Sequence, residues 1–230
     1  MTGAAASQAI TASGQPLALL PERAAWHAPS RTLFVADLHL GKSATFRARG
    51  LPVPSGTTQD NLARLATLVR EHAAARVVFL GDLLHARHAQ RAPAIAPLQA
   101  WRAAHASLQC VLVRGNHDAH AGDPPPSLGF EVVDEPWPVD GADGLFACHH
   151  PQRVAAGTVL AGHWHPAVTL RGPARDVQRL PCFCATDGLL VLPAFGAFTG
   201  SSPQAPPAGS TCYAVGGDRV WPGIRIDPRR

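Results

Sequence analysis

The first half of the chain alternates short apolar runs with longer amphipathic segments. The apolar runs, which predict buried strands, are 31–36, 76–80 and 110–113. Between them, Thr57–His72 places its leucines on one helical face and 92–107 is rich in alanine, so both segments are predicted helices. Thr57 and Asp60 are spaced as a capping box at the start of the first helix. The predicted order is therefore β-α-β-α-β.

The second half of the chain is predicted to be mostly β. Its apolar runs are short and are separated by turn residues. These runs are 130–133, 145–147, 158–160, 167–170, 189–192 and 211–215. Two sheets packed face to face, with helices on their outer sides, accommodate both halves. We therefore predict an α/β (α+β) fold of this kind.

A length of 230 residues with 46% apolar composition suits one core, and we predict a single domain over 1–230. Residues 1–15 are small and polar and are expected to form a loose terminus. Residues 199–210, rich in serine, proline and glycine, are expected to form a surface loop. For the apolar segment 192–200 (LPAFGAFTG), a core position and an oligomer interface both stay open.

The cysteines and the N-terminus bear on the compartment. The five cysteines are odd in number and form no regular framework, which is typical of reduced thiols in the cytosol. Cys182 and Cys184 are expected on one face of a strand rather than at a zinc site. The N-terminus does not resemble a signal peptide, and no apolar run reaches the length of a bilayer span. We expect a cytoplasmic protein without membrane association.

Polar side chains of metal-binding types follow five of the predicted strands. They are Asp37, His39, Asp82, Asn116, His149, His163 and His165. In D-L-H and H-W-H the two ligands are two residues apart, so in an extended segment both project to the same side. Carboxylate plus imidazole suits Mn²⁺, Zn²⁺ or Fe²⁺, and Asp82 is placed to bridge two cations. Each signal alone is common by chance, but the whole set predicts a two-metal phosphoesterase.

The segment G-N-H-D (115–118) is the most specific of these signals. Its glycine permits a tight turn, and Asn116 offers a neutral carbonyl ligand. His117 is a titratable group beside that ligand. Asp118 is expected to hold the imidazole of His117 in one tautomer. His117 and Asp118 are therefore the candidate catalytic residues.

Four further residues are candidates for substrate contact. Adjacent side chains in a strand face opposite sides, so only one of His149 and His150 is expected to be a ligand. We choose His149, which leaves His150 to touch substrate or cap the loop. Arg47 and Arg114 lie near ligand segments and suit phosphate, although solubility is the commoner role of a single arginine. Trp164 is placed to stack on a base or to pack into the core.

These motifs resemble those of the calcineurin-like metallophosphoesterase superfamily, whose blocks read here as D-L-H, G-D, G-N-H-D, a histidine before H-P, and G-H-W-H over 37–165. A narrower resemblance is to the bacterial ligase-associated DNA damage response phosphoesterases of the PdeM type. The segments that carry it are ADLHLGKSATFRARGLPVPSGTT, LGDLLHAR and LPAFGAFTG. The superfamily implies a four-layer αββα sandwich of two mixed sheets flanked by helices. The narrower family implies an Mn²⁺-dependent endonuclease or phosphodiesterase in DNA repair, with DNA as substrate and a DNA ligase, an exonuclease and a helicase as partners.

The resemblance also implies two divalent cations, Mn²⁺ first, with Zn²⁺ or Fe²⁺ as alternatives. One is held by Asp37, His39, Asp82 and His165, and the other by Asp82, Asn116, His149 and His163. One departure from the family is Cys148, where many members have glycine, and a cysteine packs there as a small apolar residue. In the implied mechanism a metal-activated water attacks phosphorus, and His117 protonates the leaving alkoxide.

Two other functions stay open at this point, as do the native metal, strand preference and oligomeric state. The same centre is compatible with a small substrate, such as a cyclic nucleotide, a nucleotide or a phosphoprotein. Aromatic residues make up only 6% of the chain, which gives little support for single-strand binding. A catalytically silent scaffold that recruits repair partners is the other alternative. Such proteins usually lose a ligand or the acid, whereas Asp82, Asn116 and His117 are all present.

Overall fold

Seven strands form the first sheet, in the order in which they occur along the chain. The computed structural model describes residues 6–48, 50, 56–90, 94–173 and 176–227. The strands are β1 (Gln8–Ala12), β2 (Gln15–Leu19), β3 (Ala25–His27), β4 (Thr32–Val35), β5 (Arg76–Leu80), β6 (Gln109–Val113) and β7 (Phe130–Val133). β1 to β4 pair antiparallel and β4 to β7 pair parallel. The sheet is therefore mixed, with crossovers between its parallel strands.

The second sheet is also mixed. Its strands are β8 (Trp137–Pro138), β9 (Leu145–Ala147), β10 (Thr158–Ala161), β11 (Ala167–Arg171), β12 (Val177–Thr186), β13 (Leu189–Val191), β14 (Thr211–Gly216), β15 (Arg219–Val220) and β16 (Ile224–Arg225). Their spatial order is β15-β14-β12-β13-β10-β9-β8, with β11 paired to β12 and β16 to β14. β9 and β13 run parallel to β10, which lies between them, and the other pairs are antiparallel.

The helices of the described chain belong to the first half of the sequence. They are α1 (Lys42–Ala48), α2 (Thr57–Glu71), α3 (Ala96–Ala104) and α4 (Asn116–Ala121). α2 buries Leu62, Leu65, Leu68 and Val69, and these residues share one core with α3, α4 and one face of the first sheet. α3 is shorter than the predicted 92–107, of which 92–93 lie outside the described residues. None of the helices in the described part of the chain is long and apolar enough to cross a bilayer.

A second core fills the space between the two sheets. It contains Phe34, Val78 and Val111 from the first sheet and Leu160, Phe183 and Leu190 from the second. Alternation of side chains along each strand places these residues opposite the helix-facing residues of the same sheet. The prediction of two mixed sheets packed face to face and flanked by helices is confirmed, with the helices on the outer side of the first sheet.

The outer face of the second sheet is covered by strands and loops. Cys182 and Cys184 lie on this face, as predicted for one side of a strand, and all five cysteines are buried and unpaired. Residues 199–210 contain neither helix nor strand and are mostly exposed. They run past β12, where the Arg179 guanidinium donates to the carbonyl oxygens of Ser202 and Gln204. Within the described residues, no helical residue belongs to this outer cluster.

Two local predictions are wrong. Residues 8–15 are not a loose terminus, because β1 pairs with β2 over five residue pairs, while 1–5 lie outside the described residues. The capping box of α2 is absent, since Gly56 is the N-cap residue and has no side chain to accept a bond. The Thr57 hydroxyl instead donates to Ser43 Oγ at 2.7 Å, so it fastens α2 to α1.

The first part of the segment LPAFGAFTG, residues 192–196, belongs to the core, whereas Ala197 and Phe198 are exposed. Phe195 is fully buried among the helices, and the Arg64 guanidinium lies 4.1 Å from its ring centroid. Ala194 forms a parallel bridge with Ala36, and the Phe195 N–H donates to the Ala36 carbonyl at 2.7 Å. The segment thus supports the chain directly before Asp37.

We expect Leu65→Ala to lower the free energy of unfolding by about 2–5 kcal/mol, because it removes a fully buried side chain from the helix-side core and leaves a cavity. Urea denaturation followed by circular dichroism would measure this. Gln59→Ala, on the exposed face of the same helix, is the matched control and should change stability by less than about 0.5 kcal/mol. Equal effects of the two changes would contradict the assigned helix orientation.

Candidate metal centre

The ends of parallel strands position the candidate ligands. Asp37, Asp82 and Asn116 follow β4, β5 and β6 of the first sheet, and His149 and His163 follow β9 and β10 of the second. The carboxyl ends of parallel strands meet at one edge of a sheet, and this is where α/β proteins bind ligands. Because the two sheets pack face to face, both sets of side chains reach the same place.

Five of the predicted ligands have a left-handed backbone. The φ angles are 55° at Asp37, 48° at His39, 51° at Asp82, 68° at His163 and 46° at His165. The expectation that D-L-H and H-W-H are extended is therefore wrong, although each pair does project to one side. Such angles are uncommon outside glycine, and non-glycine examples cluster at functional sites. The turns bring successive side chains back toward the centre after each strand ends.

Two glycines beside the ligands allow the backbones to approach closely. A Cβ on Gly162 would lie 2.8 Å from Asp37 Oδ2, and one on Gly81 would lie 2.7 Å from His149 Cβ and closer still to its ring. Real Cβ atoms do not tolerate such distances, so the space that a side chain would need is taken by a ligand from a neighbouring segment. The glycines in G-D and G-H-W-H are thus required by packing against another motif.

The first group of ligands surrounds Asp37. His165 Nε2 lies 3.5 Å from Asp37 Oδ1, and the donor atoms of Asp37, His39 and His165 all lie within 4.8 Å of one another. Asp82 joins this group, because its Oδ2 is 3.6 Å from His39 Nε2. Burial, together with the Lys42 ammonium and neighbouring imidazoles, lowers the pKa of His39. His39 is therefore neutral near pH 7 and has a lone pair available for a cation.

The second group of ligands surrounds His149. Its Nε2 lies 2.8 Å from Asn116 Oδ1, 3.0 Å from His163 Nδ1 and 3.5 Å from Asp82 Oδ1. Its Nδ1 donates to the Leu80 carbonyl at 3.0 Å, so in the neutral ring Nε2 carries a lone pair. That lone pair then faces two acceptor oxygens, Asn116 Oδ1 and Asp82 Oδ1. A cation among them makes this arrangement attractive instead of repulsive.

The residues present fit divalent cations on two further grounds. Asp37 Oδ1 and His39 Nδ1 are buried polar atoms with no hydrogen-bond partner among the described residues, and such atoms are costly unless something compensates them. Burial and the nearby Asp37 carboxylate raise the pKa of Asp82, although His149 opposes this. The carboxylates of Asp37 and Asp82 are both buried and belong to the same site, so they repel each other. A cation between them would offset this repulsion and the cost of burying two negative charges. The structure brings together Asp37, His39, Asp82, Asn116, His149, His163 and His165.

His117 lies at the open side of the centre. Its Nδ1 donates to the His85 carbonyl at 3.0 Å, and its Nε2 is 4.0 Å from Asp82 Oδ2. The side chain is 38% exposed, so Nε2 faces both the ligands and solvent. The His85 ring stacks on that of His117, with centroids 5.0 Å apart. The sequence did not single out His85, which directly follows Leu83 and Leu84 and belongs to no motif that would signal this contact.

The predicted role of Asp118 is wrong. Its carboxylate accepts from the backbone N–H groups of Leu84 at 3.0 Å, Gly115 at 3.1 Å and Leu83 at 3.4 Å, and His117 is instead oriented by His85. Burial raises the pKa of Asp118 to about 6, although these three donors lower it. Asp118 therefore ties the loop after β5 to the loop after β6. It is a positioning residue for both.

Glu135 is a site residue that sequence reasoning missed. Its Oε2 accepts from the backbone N–H groups of His149 at 2.6 Å and His150 at 2.8 Å, and its Oε1 lies 2.7 Å from His150 Nδ1. His149 is buried among the other candidate ligands, whereas His150 is half-buried and contacts Glu135, which agrees with the choice of His149. A ring nitrogen of His150 also lies within 4.8 Å of donor atoms of His149 and His163. Glu135 lies between β7 and β8, where no local pattern marks it.

The remaining candidates for substrate contact differ in their positions. Arg114 donates to both carboxylate oxygens of Asp123, at 2.9 and 3.0 Å, and to Asp134, so its charge is already neutralised and a phosphate-binding role is not supported. Arg47 is exposed in the last turn of α1. Trp164 is 39% exposed beside the ligands, so it is not a core residue.

Known proteins resemble this chain in both sequence and structure. The family model described as calcineurin-like phosphoesterase matches residues 30–165. The crystal structure of the Pseudomonas putida nuclease MPE is 42% identical, covers 95% of this chain and 100% of its own, and superposes with a TM-score of 0.82. The phosphoesterase YfcE from E. coli is 16% identical over 85% of this chain and 99% of its own, with a TM-score of 0.44. No curated protein matches the sequence.

We expect Gly115→Ala to lower the affinity for Mn²⁺ by about 10- to 100-fold, the range found when groups that orient a metal ligand are changed. Gly115 has φ −94° and ψ 172°, which alanine also adopts, but an added Cβ would lie 2.5 Å from the Asp82 backbone nitrogen and closer still to its carboxylate. Isothermal titration calorimetry would measure the affinity. Gly172→Ala, whose Cβ would meet only Asp176 at 3.4 Å, is the control and should bind Mn²⁺ like the parent protein.

Proposed function

Because the chain belongs to the calcineurin-like phosphoesterase family, we propose that it is a two-metal DNA endonuclease. Membership of the family makes it a metal-dependent phosphoesterase. The observation that carries the finer proposal is the position of Asp82, whose two carboxylate oxygens lie 3.6 Å from His39 Nε2 and 3.5 Å from His149 Nε2. A single carboxylate between two ligand groups is the arrangement that lets two cations act on one phosphate.

The ligand set is suited to two borderline divalent cations. Asp37, His39, Asp82 and His165 would hold one, and Asp82, Asn116, His149 and His163 the other. Mixed oxygen and imidazole donors without a thiolate suit Mn²⁺, with Zn²⁺ and Fe²⁺ as alternatives. When bound, such cations lower the pKa of a coordinated water and offset the negative charge of the phosphate.

His117 supplies the proton for the leaving group. Its Nδ1 is occupied by the His85 carbonyl, so Nε2 is the nitrogen that faces the centre. For Nε2 to donate while Nδ1 donates to the His85 carbonyl, the ring must carry both protons. The protonated imidazole then donates from Nε2 to the departing alkoxide oxygen. The stacked ring of His85 restricts the plane of His117 during this transfer.

Three observations support DNA as the substrate. The Pseudomonas putida protein that shares 42% identity with this chain is a nuclease. The formal net charge of +4 suits an anionic substrate. The partial or full exposure of His117, His163 and Trp164 leaves the centre open along one side. A strand can lie across such an edge without threading an end into it, which favours endonucleolytic cleavage.

The proposal includes a setting for this activity. The resemblance to ligase-associated DNA damage response phosphoesterases supports a role in DNA repair beside a DNA ligase, an exonuclease and a helicase. Five buried, unpaired cysteines suit a reducing compartment, and this supports the cytoplasm as the site of action.

Substitutions at Asp82 and His117 should separate metal binding from proton transfer. We expect Asp82→Asn to weaken binding of both cations by more than about tenfold, because it removes the shared charge. His117→Ala should keep its metals and lower kcat by about 10²- to 10⁴-fold, the usual contribution of a general acid. Metal content by mass spectrometry and kcat on bis-p-nitrophenyl phosphate would be measured for both. Loss of metal from the His117 variant with retention by the Asp82 variant would reverse the assigned roles.

Cleavage of circular single-stranded DNA tests the endonuclease proposal directly. A circle offers no end, so linearisation in Mn²⁺ that is abolished by EDTA and by Asp82→Asn is the expected result. Bis-p-nitrophenyl phosphate, assayed in parallel, reports on the centre without a polymer. Turnover of this small diester with intact circles would move the substrate away from DNA. Inactivity on both substrates, with metals bound, would favour a silent scaffold.

A further inference from the structure

A cleft lies against the segment that carries His163 and His165. Its walls are formed by Trp164, Pro166, Cys184, Ser202, Gln204 and Pro206, and its volume is about 230 Å³. Trp164 stands between the ligands His163 and His165 in the sequence, so one wall of the cleft belongs to the ligand segment itself. Sites that enclose drug-sized ligands have volumes of about 300–1,000 Å³. This cleft therefore suits a smaller group.

The opposite wall is fastened to the metal centre. The Ser202 N–H donates to the His165 carbonyl at 2.9 Å, which joins the loop directly to the ligand segment. Arg179 donates to the carbonyls of Ser202 and Gln204, at 3.3 Å for the latter, and to Thr169 Oγ1 at 3.1 Å. Both walls of the cleft are thus held at a fixed position relative to the ligands.

The chemistry of the walls favours an aromatic group over a phosphate. The indole of Trp164 and the proline rings present apolar surface, while Ser202 and Gln204 bring polar side chains to the rim. No cationic side chain lines the cleft within the described residues, and the nearby Arg179 guanidinium is directed at backbone carbonyls. Stacking on an aromatic ring accepts any base, because every base has a π face.

We propose that this cleft is a nucleobase subsite, in which the base next to the scissile phosphodiester stacks on Trp164. The inference rests on the proposed function, since it requires the phosphodiester of a nucleic acid at the metal centre. A base can enter the cleft only if it is unpaired, because pairing and stacking in a duplex cover its faces.

The test combines enzyme variants with altered substrates. The parent substrate is a short single-stranded oligonucleotide in which methylphosphonates replace all linkages but one, leaving one cleavable diester. Two further substrates carry an abasic residue on its 5′ side or its 3′ side. For the parent enzyme, we expect one of these to lower kcat/KM by about 5- to 150-fold, the effect of losing one base–aromatic stack.

Trp164→Ala should lower kcat/KM on the parent oligonucleotide by a similar factor. This variant should cleave the abasic substrate that slows the parent enzyme with the same kcat/KM as the parent oligonucleotide. Such non-additivity is expected only if the indole and the base contact each other. Trp164→Phe, which keeps an aromatic face, should retain part of the preference for the base. Trp221→Ala changes an exposed tryptophan (45%) outside the cleft and should behave like the parent enzyme.

The outcomes that would overturn the inference differ from those that concern the proposed function. If the losses from Trp164→Ala and from the abasic residue multiply, Trp164 does not meet the base, and the subsite is wrong even though DNA is cleaved. If the parent enzyme with bound Mn²⁺ hydrolyses neither the oligonucleotide nor bis-p-nitrophenyl phosphate, the proposed function itself fails.

In that case, indole fluorescence tests base binding in the cleft without turnover. Quenching by the parent oligonucleotide that disappears in Trp164→Phe would support it, and quenching that persists would overturn it.

Discussion

The centre depends on holding one carboxylate, that of Asp82, within reach of two sets of ligands that come from different sheets. Its oxygens face His39 on one side and His149 on the other. The backbone N–H of His117 also donates to Asp82 Oδ1 at 2.8 Å. The same carboxylate therefore fixes the loop that carries the proposed acid. Displacement of this carboxylate would disturb both sets of ligands and the acid together.

Crowding at this place explains the unusual backbone around it. Left-handed residues cost about 1–3 kcal/mol each and persist only where the surrounding structure fixes them. Here the bonds of Asp37 N–H to the Gly81 carbonyl and His39 N–H to the Asp82 carbonyl fix the first motif on the second. Asp118 links the second motif to the third. The core between the sheets stabilises the whole arrangement, because it joins the two strand edges that carry the ligands.

Much of the fold was predictable from local pattern, and the misses have physical causes. Every strand predicted from residue 130 onwards is present, because each is a compact apolar run between turns. β1 and β2 were missed because glutamine, alanine, threonine and proline occupy most of their positions, so neither forms a compact apolar run. The long strand β12 was recognised only at its two cysteines, since its first half pairs with β11 at an exposed edge of the second sheet. The position of LPAFGAFTG depended on packing against residues far away in the sequence.

The sequence by itself determined which side chains meet at the centre, because metal chemistry restricts ligands to a few residue types and strand ends deliver them to one edge. Only the tertiary structure decided how they are oriented. It replaced Asp118 by His85 as the group that orients His117, added Glu135, and paired Arg114 with surface carboxylates. These contacts join segments that are distant along the chain. Their geometry depends on how two sheets pack, and no local pattern encodes that.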